Sequence, residues 1–288
     1  MEFEEILTGF VFLEAPRVDD AGNLYFSEVI EGGVHRLAPD GRLDSFAADR
    51  KWIGGLALTT DGGFISSSRD GLEYCNPATG ERHNLELAVE GRPIRGINDI
   101  QPDALGGLYF GCNDFAAISE GRAPAPDRLY RLDASGAVAA LQDGVLVSNG
   151  IGISPDGRWL YHVDTYQGLC VYDRATDGGL SNRRVLVAGR GMDGLQVDAE
   201  GGIWVAGYAT GDLTRYRPDG SVDRRIDFSG EFEGCAVTSL TFGGADLRDL
   251  YVVTAGDYRR PAKGQGRVHR ARSDVPGQRT PLVAVRPC

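Results

Sequence analysis

The chain has 288 residues, of which 42% are hydrophobic and 25% are charged, and this composition is typical of a globular protein rather than a disordered one. Its formal net charge of −11 disfavours a surface for nucleic acids or anionic membranes, because both would be repelled. We therefore expect a small-molecule partner, with neither nucleic acid nor membrane bound.

The N-terminal residues and the cysteines give an expectation for localisation. Residues 1–11 contain Glu2, Glu4 and Glu5 and lack the basic region and long apolar run of a signal peptide. The five cysteines are far apart and form no C-x-x-C pair, which disfavours a disulfide framework or a zinc knuckle. We expect a cytoplasmic protein with reduced thiols, either a monomer or a small homo-oligomer.

Six copies of one phrase run along the chain, each an Asp- or Gly-rich turn followed by a short strand that opens with a large apolar residue. In chain order the copies are DDAGNLYF (19–26), TDGGFIS (60–66), DALGGLYF (103–110), SPDGRWLYHVD (154–164), DAEGGIWVA (198–206) and GADLRDLYVVTA (244–255). The strands open at Leu24, Phe64, Leu108, Leu160, Ile203 and Leu250, with separations of 40, 44, 52, 43 and 47 residues. Repeats of roughly 40 to 50 residues without long helical stripes predict four-stranded propeller blades.

The ends of the repeat region indicate how the ring closes. The sixth copy leaves little chain for an outer strand, whereas the segment from Phe3 to Phe12 has strand character and precedes the first repeat. We expect this segment to pair with the last blade, because pairing removes exposed strand edges. The sequence therefore predicts an all-β, six-bladed β-propeller that forms a single domain over residues 1–288.

The phase of the repeat predicts which residues meet at the entry of the central channel. Counting ten or eleven residues back from the strand openings gives Glu14, Asn98, Asn149 and Asp193, with Gly54 and Ser239 in the second and sixth blades. Two carboxylates and two amide carbonyls suit one divalent metal ion, which we expect to be Ca²⁺, Mg²⁺ or Mn²⁺, with Zn²⁺ also compatible. The alternative for the N-D, N-G and D-G pairs is ordinary turn formation.

Glu14 differs from the other three because it does not lie in a turn-forming pair. It stands between Leu13 and Ala15 in an apolar stretch, where an unpaired charge is costly. A bound cation would compensate this charge. A salt bridge to Arg17 or a solvated loop position is the alternative.

Five ordered blocks resemble the senescence marker protein 30, gluconolactonase and luciferin-regenerating enzyme family, which includes regucalcin-like proteins. The blocks are E-A-P at Glu14, N-D at Asn98, S-N-G-I-G-I-S-P-D-G with L-Y-H-V-D-T, M-D-G-L-Q-V-D-A-E-G-G-I-W-V-A, and T-S-L-T-F-G-G-A-D-L-R-D-L-Y-V-V-T-A. The resemblance implies a six-bladed propeller with metal ligands at Glu14, Asn149 and Asp193, and with Asn98 as a ligand or substrate contact. It also implies hydrolysis of a lactone or a related ester.

Departures from the family pattern bear on the substrate. Val18 stands where the family often has a large aromatic residue, and Ala15 replaces the glycine of its E-G-P motif. Sugar-acid lactonases commonly have arginine two residues before the N-D asparagine, where this chain has Gly96, with Arg95 as a shifted candidate for the substrate contact. These differences favour a lactone or ester that is less polar than an aldonolactone.

The predicted mechanism uses the metal as a Lewis acid and Asp193 as the base that activates water. A metal-bound water with Asp193 only as a ligand is the alternative. The longest repeat contains the segment from Cys112 to Pro126, which we expect to form a lid or rim with Asn113 and Glu120 as substrate contacts. A disordered surface insertion is the other interpretation of that segment.

Two further functions are compatible with the predicted fold. A phosphotriesterase or arylesterase would use the same metal site. A non-catalytic propeller would bind a partner on one face and would not require carboxylates at the channel entry. The sequence contains no G-x-S-x-G elbow and no Walker motif, which disfavours a serine hydrolase and a nucleotide phosphate site.

Overall fold

The computed structural model describes residues 1–228 and 236–285, which form six four-stranded antiparallel sheets, one two-stranded hairpin and one short helix. The sheets follow one another along the chain and lie around a common axis. The predicted all-β, six-bladed propeller is confirmed.

The first two strands of each blade are joined by the Asp- and Gly-rich turns of the repeat. The innermost strands are β2 (Leu13–Val18), β6 (Leu56–Leu58), β12 (Ile97–Pro102), β16 (Ser148–Ile153), β20 (Met192–Val197) and β24 (Ala236–Gly243). The second strands are β3 (Leu24–Glu28), β7 (Phe64–Ser68), β13 (Leu108–Cys112), β17 (Trp159–Asp164), β21 (Ile203–Gly207) and β25 (Asp249–Ala255).

The two outer strands of each blade complete the sheets. The third strands are β4 (Val34–Leu37), β8 (Gly71–Asn76), β14 (Asp127–Leu132), β18 (Gly168–Arg174), β22 (Asp212–Tyr216) and β26 (Gly266–Arg272). The outermost strands are β5 (Leu43–Phe46), β9 (Glu81–Leu85), β15 (Val138–Val145), β19 (Leu180–Ala188), β23 (Val222–Asp227) and, in the sixth blade, β1 (Phe3–Phe10). The hairpin consists of β10 (Ala88–Val89) and β11 (Arg92–Pro93), and the helix is α1 (Phe115–Glu120).

The innermost strands form a closed ring, because each contacts the innermost strand of the next blade and β24 contacts β2. The apolar residues predicted to open the second strands begin those strands or are their second residues, and all six are at most 2% exposed. Packing of these side chains between successive sheets forms the hydrophobic core. We call the face where the innermost strands begin the entry face, and the other the opposite face.

The predicted closure by the N-terminal segment is confirmed. Strand β1 pairs antiparallel with β26, with Phe3 opposite Ala271 and Phe10 opposite Gly266. An ion pair of 2.6 Å between Glu4 and Arg270 links the same two strands. The N-terminal residues thus provide the outermost strand of the last blade.

After β26 the chain runs across the opposite face, and we call residues 275–285 the C-terminal strap. Its hydrogen bonds to the blades are Ala199 N to Pro276 O (2.9 Å), Gln278 Nε2 to Val197 O (3.0 Å) and Ile153 O (3.1 Å), Val283 N to Leu58 O (2.9 Å) and Ala284 N to Gly106 O (2.8 Å). These contacts join the second, third, fourth and fifth blades. The side chain of Val283 is completely buried.

The thiols of Cys75, Cys112 and Cys170 are free and buried, whereas Cys235 and Cys288 lie outside the described residues. No helix within residues 1–228 and 236–285 combines the length and apolar character needed to cross a bilayer.

Candidate active site

The four residues that the repeat phase predicted lie at the same position in four blades. Glu14, Asn98, Asn149 and Asp193 are the second residues of β2, β12, β16 and β20, and we call them the candidate centre. The ladder to the second strand shifts register there, over residues 14–17, 97–100, 148–151 and 192–195. A bulge redirects a side chain from the regular alternation of a strand. The same backbone feature therefore places all four side chains.

Glycine residues beside the candidate centre allow the innermost strands to approach closely. A Cβ atom on Gly54 would collide with Oδ1 of Asn98, so the second blade leaves room for the Asn98 amide. A Cβ atom on Gly150 would likewise collide with the backbone of Leu195. Gly54, which faces Asn98, and Gly150, which follows Asn149, thus allow neighbouring blades to stay in contact.

The two asparagines of the candidate centre are hydrogen-bonded to each other. Nδ2 of Asn98 donates to Oδ1 of Asn149 over 2.5 Å and to the carbonyl of Ser148 over 2.8 Å. Nδ2 of Asn149 donates to Oγ1 of Thr165 over 2.6 Å, and this hydroxyl donates to the carbonyl of Met192 over 2.9 Å. Because both amide nitrogens have protein partners, the orientation of both amide oxygens is fixed.

The two carboxylates of the candidate centre are buried without a cationic partner. Glu14 and Asp193 are each 7% exposed. Within residues 1–228 and 236–285, no Arg, Lys or His nitrogen lies within 4.0 Å of either carboxylate. Burial, followed by the charges of Asp193 and Asp99, raises the pKa of Glu14 well above its ordinary value, and burial and Asp99 raise the pKa of Asp193. The site therefore favours a bound positive charge.

Asp99 is a third carboxylate near the centre, which sequence reasoning missed. It follows Asn98 within the same bulge, and burial raises its pKa to about 7, although the Arg17 guanidinium lowers it in part. The N-D dipeptide was the available signal, because a bulge can present two consecutive residues to one side of a strand.

Arg17 does not form the salt bridge to Glu14 that the sequence left open. Its Nη1 donates to the carbonyl of Pro16 over 2.8 Å, and its Nη2 donates to that of Ile100 over 3.0 Å. Glu14 accepts instead from the backbone N–H of Ala15 over 3.0 Å. Ala15 has a φ of 52°, in the left-handed region that the glycine of the family motif adopts more easily.

The donor set fits a hard divalent cation. No group of three or more His, Cys, Asp or Glu side chains in the described part of the chain is arranged to hold a metal ion. The candidate centre instead combines two carboxylates with two amide oxygens, and such an all-oxygen set is compatible with Ca²⁺, Mg²⁺ or Mn²⁺. That Glu14, Asn98, Asn149 and Asp193 are metal ligands stays a prediction.

The structure explains why this chain lacks the arginine common in sugar-acid lactonases. Gly96 has a φ of 69°, and a Cβ atom on it would collide with the carbonyl of Asn113. The neighbouring Arg95 is exposed, and its Nη2 donates to Glu86 over 3.2 Å on the surface. Its predicted contact with substrate stays untested.

The other two predicted substrate contacts have protein partners. Oδ1 of the buried Asn113 accepts from Ser148 N over 2.7 Å, and its Nδ2 donates to Ser148 O over 3.1 Å. Asn113 thus orients the strand that carries Asn149. Glu120 is exposed at the end of α1 and pairs with Arg122 over 2.5 Å. A substrate role for either residue stays a prediction.

The segment from Cys112 to Pro126, predicted as a lid or rim, contains helix α1. The helix is capped by Asp114, whose side chain accepts from Ala117 N over 3.0 Å. The carbonyl of Ile118 accepts from the hydroxyl of Tyr258 over 3.4 Å, so this segment of the third blade reaches the sixth. Phe115 also lies 6.1 Å from Trp52, measured between ring centroids.

Several aromatic residues lie on the entry face, among them Phe12, Trp52 and Tyr208, which pack in one cluster. Tyr208 stacks on Phe12 with a centroid distance of 6.1 Å. Burial and then the charge of Asp193 raise the pKa of Tyr208. The guanidinium of Arg69 lies 3.5 Å from the centroid of the Trp52 ring. This part of the entry face therefore combines aromatic rings with one guanidinium.

Comparisons with known proteins identify the family of the chain. Residues 12–256 match the model of the SMP-30/Gluconolactonase/LRE-like region. A 6-deoxy-6-sulfogluconolactonase from Pseudomonas putida is 30% identical over 274 residues, which cover 91% of this chain and 90% of that protein. A pentonolactonase from Haloferax volcanii is 31% identical over 254 residues, which cover 86% of this chain and 82% of that protein.

Among solved structures, the calcium-binding protein regucalcin from Agrobacterium tumefaciens has a TM-score of 0.80 and 27% identity, covering 97% of this chain and 95% of its own. The match spans all six blades, and the resemblance inferred from the sequence motifs is confirmed. This chain therefore belongs to the SMP-30/gluconolactonase/LRE-like family.

Proposed function

We propose that this protein is a divalent-metal-dependent lactonase, a carboxylic ester hydrolase that opens a small lactone. One observation carries the proposal: the buried carboxylates of Glu14 and Asp193 have no cationic side chain within 4.0 Å in the described residues, and they occupy the same strand position in their blades as the hydrogen-bonded Asn98 and Asn149 do in theirs. The names of two relatives, a sulfogluconolactonase and a pentonolactonase, support lactone hydrolysis. The calcium-binding regucalcin structure supports a divalent metal.

In this proposal Glu14, Asn149 and Asp193 hold the metal, and Asn98 is a fourth ligand or a substrate contact. When bound, the cation supplies Lewis acidity that polarises the lactone carbonyl and stabilises negative charge on its oxygen. The Thr165 hydroxyl keeps the Asn149 amide turned so that its oxygen remains a ligand.

The reaction adds water across the ester bond of the ring. We assign Asp193 as the base that accepts a proton from the attacking water, whose oxygen bonds to the carbonyl carbon. The ring C–O bond then breaks, and the ring oxygen leaves as an alcohol after it receives a proton. Asp99 is the second carboxylate available for proton transfer, because its pKa of about 7 lies near neutral pH.

The substrate in this proposal is less polar than an aldonolactone. Gly96 leaves no room for an arginine side chain, and Arg95 is directed towards Glu86. Trp52 and Tyr208 on the entry face offer aromatic surface to an apolar ring substituent. Helix α1 then serves as the lid over the bound lactone.

A screen of lactone hydrolysis tests this proposal. Protein stripped with a chelator is assayed with a pH indicator on aldono-, aliphatic and aromatic lactones, and on an aryl ester and a phosphotriester, with Ca²⁺, Mn²⁺, Mg²⁺ or Zn²⁺ added singly. We expect hydrolysis that requires an added ion and is fastest on aliphatic or aromatic lactones. Hydrolysis of aryl esters or phosphotriesters alone would assign the alternative activity to the same centre.

A non-catalytic binding module is the remaining alternative. It predicts no hydrolysis in any arm of the screen and no effect of metal removal on stability.

For localisation we propose the cytoplasm. The buried free thiols of Cys75, Cys112 and Cys170 support this proposal.

A further inference from the structure

Arg17 differs from the other buried arginines of the described residues because it has no ion-pair partner. Within the described residues the buried arginines are Arg17, Arg50 and Arg215, with exposures of 7%, 8% and 8%. Arg50 lies 3.8 Å from Glu73, and Arg215 lies 2.7 Å from Asp198. Over residues 1–228 and 236–285, Arg17 has no carboxylate within 4.0 Å, and its Nε–H has no hydrogen-bond partner.

Buried charges in proteins are ordinarily paired, because an unpaired charge loses its hydration without compensation. The negative charges that act on the Arg17 guanidinium are those of Asp99 and Glu14, which lie beyond 4.0 Å on the side of the candidate centre. A cation held by that centre would compensate the same carboxylates. The carbonyls of Pro16 and Ile100 that accept from Arg17 carry no formal charge, so an anion from another direction would complete its pairing.

A cavity of about 790 Å³ lies beside Arg17 on the opposite face. Its walls are the turns that follow β2, β6 and β24, together with residues 278–282 of the C-terminal strap. Tyr25, Leu58 and Phe242 contribute apolar surface. Both the volume and the mixture of apolar walls with a few charged side chains, Arg17, Asp19, Asp20 and Arg279, are typical of sites for small organic molecules.

The acidic residues of this cavity are already engaged. Oδ1 of Asp19 accepts from the backbone N–H groups of Ala21, over 2.9 Å, and of Asn23, over 2.8 Å. Asp20 forms an ion pair with Arg279 of the strap. Neither carboxylate approaches Arg17 within 4.0 Å, so neither supplies the missing counter-charge.

We propose that this cavity is a second binding site, which takes a small organic carboxylate whose anionic group pairs with Arg17. The apolar part of the ligand lies against Tyr25, Leu58 and Phe242. The site is separate from the candidate centre and goes beyond lactone hydrolysis.

Calorimetry with benzoate and its neutral analogue benzamide tests the charge requirement. The titrations are run with saturating Ca²⁺, the state in which a cation at the candidate centre compensates Glu14 and Asp99, and the variants below distinguish binding in the cavity from binding at that centre. We expect benzoate to bind with one-to-one stoichiometry and about tenfold more tightly than benzamide, which is a difference of about 1.4 kcal/mol. Equal affinities for the two probes would overturn the proposal.

Three variants locate the binding. In Arg17→Met the preference for benzoate over benzamide should disappear. Because this change alters a buried residue, a pair of changes at the exposed Thr60, which lines the cavity, provides an independent measurement. Thr60→Glu adds a repelling charge and should weaken benzoate binding about tenfold, whereas the neutral Thr60→Gln should not.

The position of the ligand gives a direct check. Crystals soaked with 4-bromobenzoate should show the anomalous signal of bromine between Arg17 and the C-terminal strap. Bromine found only elsewhere, or benzoate binding that is equal in Thr60→Glu and Thr60→Gln, would contradict the assignment.

Discussion

Asn98 and Asn149 lie in adjacent blades, and their side chains share a hydrogen bond of 2.5 Å from Nδ2 of Asn98 to Oδ1 of Asn149. Asn149 is bonded in turn to the hydroxyl of Thr165, which donates to the carbonyl of Met192 in the next blade. Three successive blades are thus connected by side chains that determine where two amide oxygens point. This connection gives the first prediction.

Thr165→Val removes the hydroxyl and keeps the shape of the side chain. We expect the affinity for Ca²⁺ or Mn²⁺ to fall between about tenfold and a hundredfold, because the amide of Asn149 loses the group that orients it. Calorimetric titration of chelator-treated protein measures this change. Thr165→Ser retains the hydroxyl and is the matched control. Equal affinities in the two variants would show that Thr165 has no orienting role.

Asp193→Asn separates the two roles proposed for this carboxylate. Turnover should fall by about a hundredfold to ten-thousandfold if Asp193 is the base, while metal affinity is largely retained through the amide oxygen. If Asp193 is only a ligand, metal affinity and turnover should fall together. Parallel calorimetry and lactone assays distinguish these results, with the exposed Asp219→Asn as the control.

The cation-free protein should lose stability as the pH rises. An unfolded aspartate releases its proton near pH 3.9, whereas folded Asp99 retains it up to about pH 7. The folded state therefore binds more protons, and the contribution of Asp99 is complete below about pH 4 and is lost as the pH rises through 7. Glu14 and Asp193 shift in the same direction.

Urea unfolding of chelator-treated protein between about pH 5 and pH 8 measures this dependence. In Asp99→Asn the decline should be smaller than in the unchanged protein, because one of the titrating groups is absent. Added Ca²⁺ should stabilise the protein more at pH 8 than at pH 5, since cations bind the deprotonated carboxylates. A decline of equal size in both proteins would exclude Asp99 as its source.

Arg17→Met should strengthen cation binding at the candidate centre. The guanidinium acts on the carboxylates of Glu14 and Asp99, and its positive charge opposes that of an incoming cation. We expect the Kd for Ca²⁺ to decrease about threefold to tenfold, measured by calorimetry. Arg279→Ala, at an exposed position of the strap, should leave this Kd unchanged.

The C-terminal strap should contribute to global stability. Val283 is completely buried and bonded through its N–H to Leu58, whereas its neighbour Leu282 is 43% exposed. Val283→Ala should lower the free energy of unfolding by about 1 to 3 kcal/mol through lost burial and a residual cavity. Leu282→Ala should change it by less than about 0.5 kcal/mol. Urea unfolding of both variants gives the comparison.

The six blades and the four residues of the candidate centre were predictable from sequence, because each blade repeats the same turn and strand. Leu24 and Leu108 open equivalent strands after equivalent turns, so counting back from each reaches the same position in the ring. The same counting assigns one residue to each blade. It therefore found Asn98 and missed Asp99, which a bulge places beside it.

Features outside the repeat were not predictable in this way. Residues 275–285 follow no periodic pattern, and their role in closing the opposite face depends on hydrogen bonds to several distant blades. Arg95 pairs with Glu86 across the short β10–β11 hairpin, which lies outside the repeat. The burial of Arg17 without an ion-pair partner depends on the packing of neighbouring blades, since its Nη2 bonds to Ile100 of the third blade, so its residue type alone gave no indication of it.

The pairing of β1 with β26 has a consequence for folding. Glu4 and Arg270, which form an ion pair across these strands, are 266 positions apart in the chain. During synthesis β1 leaves the ribosome long before β26, while the intervening blades can form from local hairpins. The ring cannot be completed before its sixth blade is made. We therefore expect the pairing of β1 with β26 to be a slow step in folding. An early strand that waits unpaired for so long is also where misassembly between nascent copies would begin.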